Sequence, residues 1–181
     1  PERLQKIQYS EAFDNAYWQK NALLPPLNGF LSPKGDLSAF KIIEDTSNSI
    51  HTVYRNSSLN ENSIISVFAK AGERSKIGVG NSSSSQFAIF DLSLGIVITS
   101  SSGSISNGSI ENIGNGWYRC SCLFTYSGSN ASASYTIVND SNNTSYQGDG
   151  TSGIYIFGAQ IEQGSYPTSY IPNYGTAAGI T

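Results

Sequence analysis

Trp117 and Arg119 are the residue pair best suited to ligand chemistry, since they lie two positions apart in a stretch that alternates like a β-strand. The intervening apolar set, which we expect to face the core, comprises Tyr118, Cys120, Cys122 and Phe124. An indole covers the apolar C–H face of a pyranose, and guanidinium donors bind hydroxyl or carboxylate oxygens. The pair therefore predicts an outward surface that suits a sugar.

Two further stretches place polar or aromatic side chains opposite an apolar set. Residues 63–70 alternate so that Phe68 and Lys70 are predicted to face outward. In residues 50–55, Tyr54 and Thr52 oppose the set that contains Val53, and the sequence leaves open which set faces inward.

The last long strand, residues 153–162, carries apolar side chains in both alternating sets. We predict that the core set is Tyr155, Phe157, Ala159 and Ile161. The opposite set contains Gln160, whose amide offers a glycan both a donor and an acceptor.

Together these stretches predict one concave, ligand-binding face that bears Tyr54, Phe68, Lys70, Trp117, Arg119 and Gln160. If that face is open, Trp117→Ala weakens binding and leaves stability nearly unchanged. In the alternative, Trp117 seals the sandwich edge beside the turn at residues 114–116, because large aromatic side chains are mostly buried. Arg119 is then a solvated or salt-bridged strand residue.

The elements that must position these residues are strands. Charged residues make up only 13% of the chain, and Ser, Asn, Thr and Gly take their place. Aromatic residues recur in short alternating stretches, spaced by turn residues at intervals of roughly 8–12 positions. The low-complexity segments 100–108 and 139–150 are predicted loops, and residues 1–8 have short helical character. We predict an all-β fold, a two-sheet antiparallel β-sandwich or jelly roll.

Charge and cysteine content exclude several classes of function. The net charge is −3 and the cations form no block, which argues against nucleic acid as a partner. No apolar run is long enough to cross a membrane, so we expect no membrane insertion. Cys120 and Cys122 have neither the geometry for a disulfide with each other nor partners for a zinc site, and are predicted to be buried and free.

The residue inventory also argues against an enzyme. His51 is the one histidine, it lies in a predicted strand, and no nucleophile elbow accompanies it. Most of the acidic residues fall in turns, with no pair ordered as glycosidases require. The sequence therefore offers no catalytic residue, and we expect a non-catalytic protein, with a polysaccharide lyase or hydrolase as the less favoured interpretation.

Five ordered motifs resemble the jelly-roll, carbohydrate-binding-module-like domain of bacteriophage tail fibres and other virion proteins. They are residues 9–18 (YSEAFDNAYW), 66–72 (SVFAKAG), 116–121 (GWYRCS), 148–162 (GDGTSGIYIFGAQIE) and 164–172 (GSYPTSYIP). The resemblance implies a jelly roll, recognition of a polysaccharide or host-surface glycan, and a virion or extracellular location. It also suggests a homotrimer in the parent protein, and a structural or trimerising fibre domain that binds no glycan is the alternative.

The resemblance leaves a structural calcium open and no cofactor is required. Related modules often hold Ca²⁺ with an acidic residue after an early Phe and an Asp on the final strand. Phe13 and Asp14 match the first half, but the final strand reads Phe157 and Gly158. The similarity covers residues 9–172, so we expect residues 1–8 and 173–181 to be tails.

Overall fold

The structure, a computed structural model, describes residues 3–175 and the backbone of residues 179–180. Its described residues form strands and one short 3-10 turn at Ser82–Ser84, and none of its elements is a helix long and apolar enough to cross a membrane. The strands are β1 (Leu4–Gln5), β2 (Gln19–Asn21), β3 (Leu27–Phe30), β4 (Ala39–Ile43), β5 (Asn48–Ile50), β6 (Thr52–Leu59), β7 (Ser63–Ala71), β8 (Lys76–Asn81), β9 (Gln86–Asp91), β10 (Ile96–Thr99), β11 (Ile105–Gly114), β12 (Trp117–Phe124), β13 (Ala131–Val138), β14 (Ser145–Gln147), β15 (Gly153–Gln163) and β16 (Gly179–Ile180).

Two antiparallel sheets of six strands pack face to face, which confirms the predicted β-sandwich. Sheet I has the order β10-β9-β8-β13-β6-β2, and sheet II has the order β11-β12-β7-β15-β4-β3. The pairs β1–β16 and β14–β5 form two small additional sheets. The hydroxyl of Tyr135 in sheet I crosses the core and donates to the backbone oxygen of Ser66 in sheet II at 2.9 Å.

The core lies between the sheets and follows the alternation of the strands. On β7, Ile65, Val67 and Ala69 are fully buried in it, as the sequence predicted. On β12 the predicted core set is confirmed as well, with Cys120 and Cys122 free and buried. Burial in apolar surroundings raises the pKa of both thiols, so they are inert.

Strand β15 departs from the predicted alternation because it contains a bulge. The register of β15 against β7 shifts between Phe157 and Gln160, and Gly158 has a φ of +65°. Before the bulge, Ile154 and Ile156 face the core, so the prediction that Tyr155 and Phe157 do so is wrong. After the bulge the prediction holds, with Ala159 and Ile161 in the core. One extra residue therefore moves Tyr155 to the outer face of sheet II.

The ordered fold extends beyond the predicted domain limits of 9–172. Residues 4–5 form a strand rather than a helical turn, and the buried Gln5 side chain donates to the Ala159 and Ile171 carbonyl oxygens. Ile7 is fully buried, and Asn173 is only 2% exposed. Residues 105–108, predicted as loop, belong to β11, and the 139–150 segment contains β14. The remainder of the predicted C-terminal tail, apart from 173–175 and the backbone of 179–180, lies outside the described residues.

A buried ion pair connects the residue that follows β4 with the connection between β7 and β8. The Glu44 carboxylate, fully buried, accepts hydrogen bonds from Arg74 Nε at 2.7 Å and Arg74 Nη2 at 2.8 Å. The Tyr146 hydroxyl and the Asp149 backbone N–H also donate to it, each at 2.8 Å. Burial alone raises the pKa of Glu44, but these four donors outweigh it and hold the pKa below its usual value.

We expect the domain to lose stability in acid. Several carboxyl groups have lowered pKa values, namely Asp36, Glu44, Asp45, Glu73, Asp91 and Asp149. Their contribution is complete above the unfolded pKa of about 4 and is lost as the pH falls through the lower folded values. Urea unfolding at pH values between about 7 and 3 should show a falling midpoint below about pH 4. A midpoint that stays constant or rises in acid would contradict this.

Candidate functional site

A groove of about 480 Å³ on the outer face of sheet II brings together two of the predicted ligand residues. The strand register places Trp117 of β12 and Tyr155 of β15 on either side of Lys70 of β7. We call the depression the sheet II groove, and its lining residues are Phe30, Leu31, Lys70, Ala71, Gly72, Glu73, Trp117 and Tyr155. Its volume lies within the usual range of small-molecule sites.

One side of the sheet II groove is an aromatic wall. Trp117 is only 2% exposed and packs in a cluster with Ala39 and Phe157. Phe30 and Tyr155 are half-buried and meet edge to face, with ring centroids 5.0 Å apart. The Trp117 indole N–H makes no hydrogen bond within the described residues. The wall is therefore fixed by packing, and it keeps one hydrogen-bond donor uncommitted.

Lys70 is the one cationic side chain in the described residues that has no acceptor. The chain contains ten Lys and Arg residues. The nine others each have an acceptor: Arg3, Lys6, Lys20, Lys34, Lys41, Arg55, Arg74, Lys76 and Arg119. Lys70 has neither a hydrogen bond nor an ion pair within the described part of the chain.

The other charges of the sheet II groove neutralise each other. Lys41 Nζ lies 2.8 Å from the Glu73 carboxylate, and it also lies 5.4 Å from the centre of the Tyr155 ring. The ion pair lowers the pKa of Glu73, which stays ionised at neutral pH. With Lys41 and Glu73 paired, the uncompensated charge of the groove is the Lys70 ammonium group.

Three of the predicted ligand residues lie on the same face but are covered by residues 164–172. Arg119 Nη1 donates to the Thr168 carbonyl at 2.6 Å, and Phe68 packs against Tyr170 with ring centroids 5.8 Å apart. Gln160 is fully buried and accepts the Ile171 N–H at 2.7 Å. These residues lie on the outer face as predicted, but residues 164–172 cover this part of it: Gln160 is fully buried, and Phe68 and Arg119 are half-buried.

Arg119 is held under this segment by a combination of polar and aromatic contacts. Its guanidinium carbon lies 5.3 Å from the Phe68 ring centre, and its Nη2 donates to the Ser66 hydroxyl at 3.4 Å. Its buried Nε has no partner among the described residues. Burial lowers the pKa of Arg119, opposed by the charge of Glu162. Arg119 thus serves the packing of this face and lies outside the sheet II groove.

Tyr54 lies on the opposite side of the sandwich. Its neighbour Val53 is fully buried in the core, which settles the alternation on β6 and turns Tyr54 outward. There it lines a groove of about 290 Å³ on the outer face of sheet I, which we call the sheet I groove. Its lining residues are Asn21, Ile50, Thr52, Tyr54, Asn56, Ser82, Ser83 and Ser132. Tyr54 therefore does not share a surface with Trp117 and Lys70.

A larger cleft of about 560 Å³ opens at one end of the sandwich. Its walls are the Ser82–Ser84 turn, the start of β11 and the loop between β12 and β13, and we call it the end cleft. The side chains that line it include Asn81, Gln86, Ser104 and Asn130. None of the described residues that line it is charged.

The positions considered for calcium lie in different surroundings. Phe13 is fully buried in the core, whereas Asp14 is exposed. Gly158 forms the bulge of β15, and a Cβ there would lie 3.1 Å from both Phe68 and Tyr170. An aspartate would be strained and crowded at that position. Within the described residues, no group of three or more His, Cys, Asp or Glu side chains is arranged to hold a metal ion.

Tyr155, Phe30 and Glu73 are groove residues that the sequence reasoning missed. The signal for Tyr155 was Gly158, because a glycine inside a strand often marks a bulge. Phe30 and Glu73 reach the groove through the pairing of β3 with β4 and through the β7–β8 turn, which no local pattern predicts.

No protein-family model matches the chain, and no curated protein matches it either.

Proposed function

We propose that the domain is a non-catalytic carbohydrate-binding module that takes an acidic glycan in the sheet II groove. The observation that carries the proposal is Lys70, an ammonium group with no acceptor among the described residues, beside a fixed aromatic wall. Unpaired ammonium groups recognise carboxylate or sulfate groups, and aromatic surfaces recognise the apolar face of a sugar ring.

The groove offers a separate partner for each part of such a ligand. The Lys70 ammonium group is placed for a uronate carboxylate or a sulfate, and the Trp117 indole N–H for a ring or hydroxyl oxygen. Glu73 is ionised and can accept from sugar hydroxyls while it stays paired with Lys41. A shallow site with so few contacts suggests a Kd of roughly 10 μM to 1 mM.

The state of His51 supports a non-catalytic role. The ring is fully buried, and its nitrogens lie 2.6 Å and 3.0 Å from the backbone oxygens of Ala22 and Tyr146. Neither nitrogen is therefore available to a substrate. Glu44 and Glu162 are fully buried as well. Among the described residues that line the sheet II groove, Glu73 is the one carboxylate.

The origin of the domain is also a proposal. The motifs at residues 116–121, 148–162 and 164–172 resemble carbohydrate-binding-module-like jelly rolls of bacteriophage tail fibres. We place the domain in a virion or other extracellular protein on that basis. Several copies on one fibre would raise weak single-site binding through effective concentration.

A structural fibre domain is the second candidate, and exposed leucines favour it. Leu24, Leu27, Leu31 and Leu37 are between 38% and 68% exposed, and they lie in and around the edge strand β3. Such a surface suits contact between copies of the chain. Light scattering and affinity electrophoresis on the purified domain distinguish the two candidates. Trimers in solution, together with no retardation by any polysaccharide, would favour the structural role.

Lys70→Gln is expected to weaken binding to acidic polysaccharides by about tenfold or more, because a charge-assisted hydrogen bond contributes about 1.5–3 kcal/mol. Affinity electrophoresis in gels that contain polygalacturonate, alginate or hyaluronan measures the effect. Lys76→Gln is the matched control, since it removes the same charge from sheet I, where Lys76 donates to the Asp140 carbonyl. Equal retardation of the two variants would refute the assignment of Lys70.

A further inference from the structure

The sheet I groove has the features of a second ligand site, and its chemistry differs from that of the sheet II groove. Every side chain that lines it is uncharged, and most carry a hydroxyl or amide group. Tyr54 supplies the one aromatic wall. The strand register aligns Tyr54, Ser134, Gly80 and Phe87 across four strands. The small residues Ser134 and Gly80 thus lie in the middle of the sheet, between the aromatic residues Tyr54 and Phe87.

Several polar groups in the sheet I groove have no partner. The Tyr54 hydroxyl, the Ser82 hydroxyl and the Asn56 amide nitrogen make no hydrogen bond within the described residues. The Asn56 amide oxygen accepts the Ser132 hydroxyl at 3.4 Å. The groove therefore presents unpaired hydroxyl and amide groups, and no charged residue among its described lining residues competes with them for a neutral ligand.

The sheet I groove adjoins the end cleft. Ser83 lines both, and its hydroxyl accepts the Ser132 N–H at 3.1 Å, which holds the Ser82–Ser84 turn over β13. The end cleft is likewise uncharged. We call the two adjoining depressions the uncharged track, which reaches from the outer face of sheet I to the end of the sandwich. A track of this kind accommodates more than one sugar unit.

We infer that this track is a second glycan site, selective for neutral oligosaccharides, on the side of the sandwich opposite the sheet II groove. A domain with both sites binds two glycan segments of different charge at the same time. The inference goes beyond the proposed function and does not depend on Lys70, although it shares the premise that the domain recognises sugars.

Tyr54→Ala tests the inference, because Tyr54 is half-buried on the outer face and its removal leaves the core intact. The probes are mannan, dextran and mixed-linkage β-glucan in affinity electrophoresis, and Tyr54→Phe separates the ring from the hydroxyl. We expect at least one neutral polymer to retard the wild type, and Tyr54→Ala to weaken that binding by about fivefold or more. Lys70→Gln should bind the same polymer as the wild type does.

Each other outcome overturns a defined part of the account. If acidic polymers retard the wild type and no neutral polymer does, the second site is refuted and the proposed function stands. If Tyr54→Ala binds the neutral polymer as well as the wild type, the site is misplaced and the inference fails. If Lys70→Gln loses both classes of polymer, the domain has one site. If no polymer of either class retards the wild type, the proposed function itself is refuted.

Discussion

Replacing Arg74 by alanine is expected to lower the free energy of unfolding by about 3–5 kcal/mol, because the variant leaves a buried carboxylate without its counter-charge. Glu44 is fully buried, and Arg74 supplies two of its four hydrogen bonds. The Tyr146 and Asp149 donors remain, but they carry no charge to offset the desolvation of the carboxylate. Urea unfolding at pH 7 measures the loss.

Two companion variants make the result specific to the buried pair. Lys41→Ala removes a second ion pair whose partner Glu73 is 52% exposed, and it should cost about 1 kcal/mol or less. The double variant Arg74→Met with Glu44→Leu should recover most of the lost stability, because apolar replacement of a buried pair is often neutral. If Arg74→Ala lowers the free energy of unfolding no more than Lys41→Ala does, Arg74 does not stabilise the buried Glu44 carboxylate.

Trp117→Ala is expected to cost about 3–5 kcal/mol of stability, since the indole is 2% exposed and its removal opens a cavity. This reverses the sequence expectation that the substitution weakens binding and spares stability. The indole packs with Phe157 and Ala39 on the outer face of sheet II, so its loss also loosens the wall of the groove. Thermal unfolding gives the measurement.

Two further aromatic substitutions, one smaller at the same position and one at an exposed position, check that prediction. Trp117→Phe keeps most of the packing and should cost less than the alanine variant. Tyr166→Ala removes an aromatic side chain that is 61% exposed and should change stability little. Should Trp117→Ala unfold at the wild-type temperature, Trp117 is not the packed residue described here, and an open sugar platform becomes the better reading.

Strand alternation was predictable wherever it ran without interruption. On β7 and β12 the apolar positions recur at every second residue, so the sequence alone separates the core set from the outer set. On β15 both sets are apolar, and the bulge at Gly158 reverses the alternation partway along. The pattern therefore placed Ala159 correctly and Tyr155 incorrectly.

The candidate site was predictable only in part, for a related reason. Trp117 and Lys70 were grouped because each lies outward on its strand, and the antiparallel register then makes them neighbours. Arg119 and Gln160 satisfy the same rule, yet residues 164–172 fold back over them. Contacts between distant segments leave no periodic trace in the sequence, so this cover was not predicted. Tyr54 was assigned to the wrong surface because alternation does not specify to which sheet a strand belongs.

The most direct test of glycan binding in the sheet II groove follows the two indole N–H signals in a ¹H–¹⁵N NMR titration. Trp117 lines the groove, whereas Trp18 is buried in the core and donates to the Tyr9 carbonyl, so it serves as an internal control. The probes are oligogalacturonate, alginate and hyaluronan fragments. The account predicts that at least one fragment shifts the Trp117 signal and the backbone signals around Lys70 while the Trp18 signal stays in place. Shifts confined to sheet I, or no shift with any acidic fragment, would contradict it.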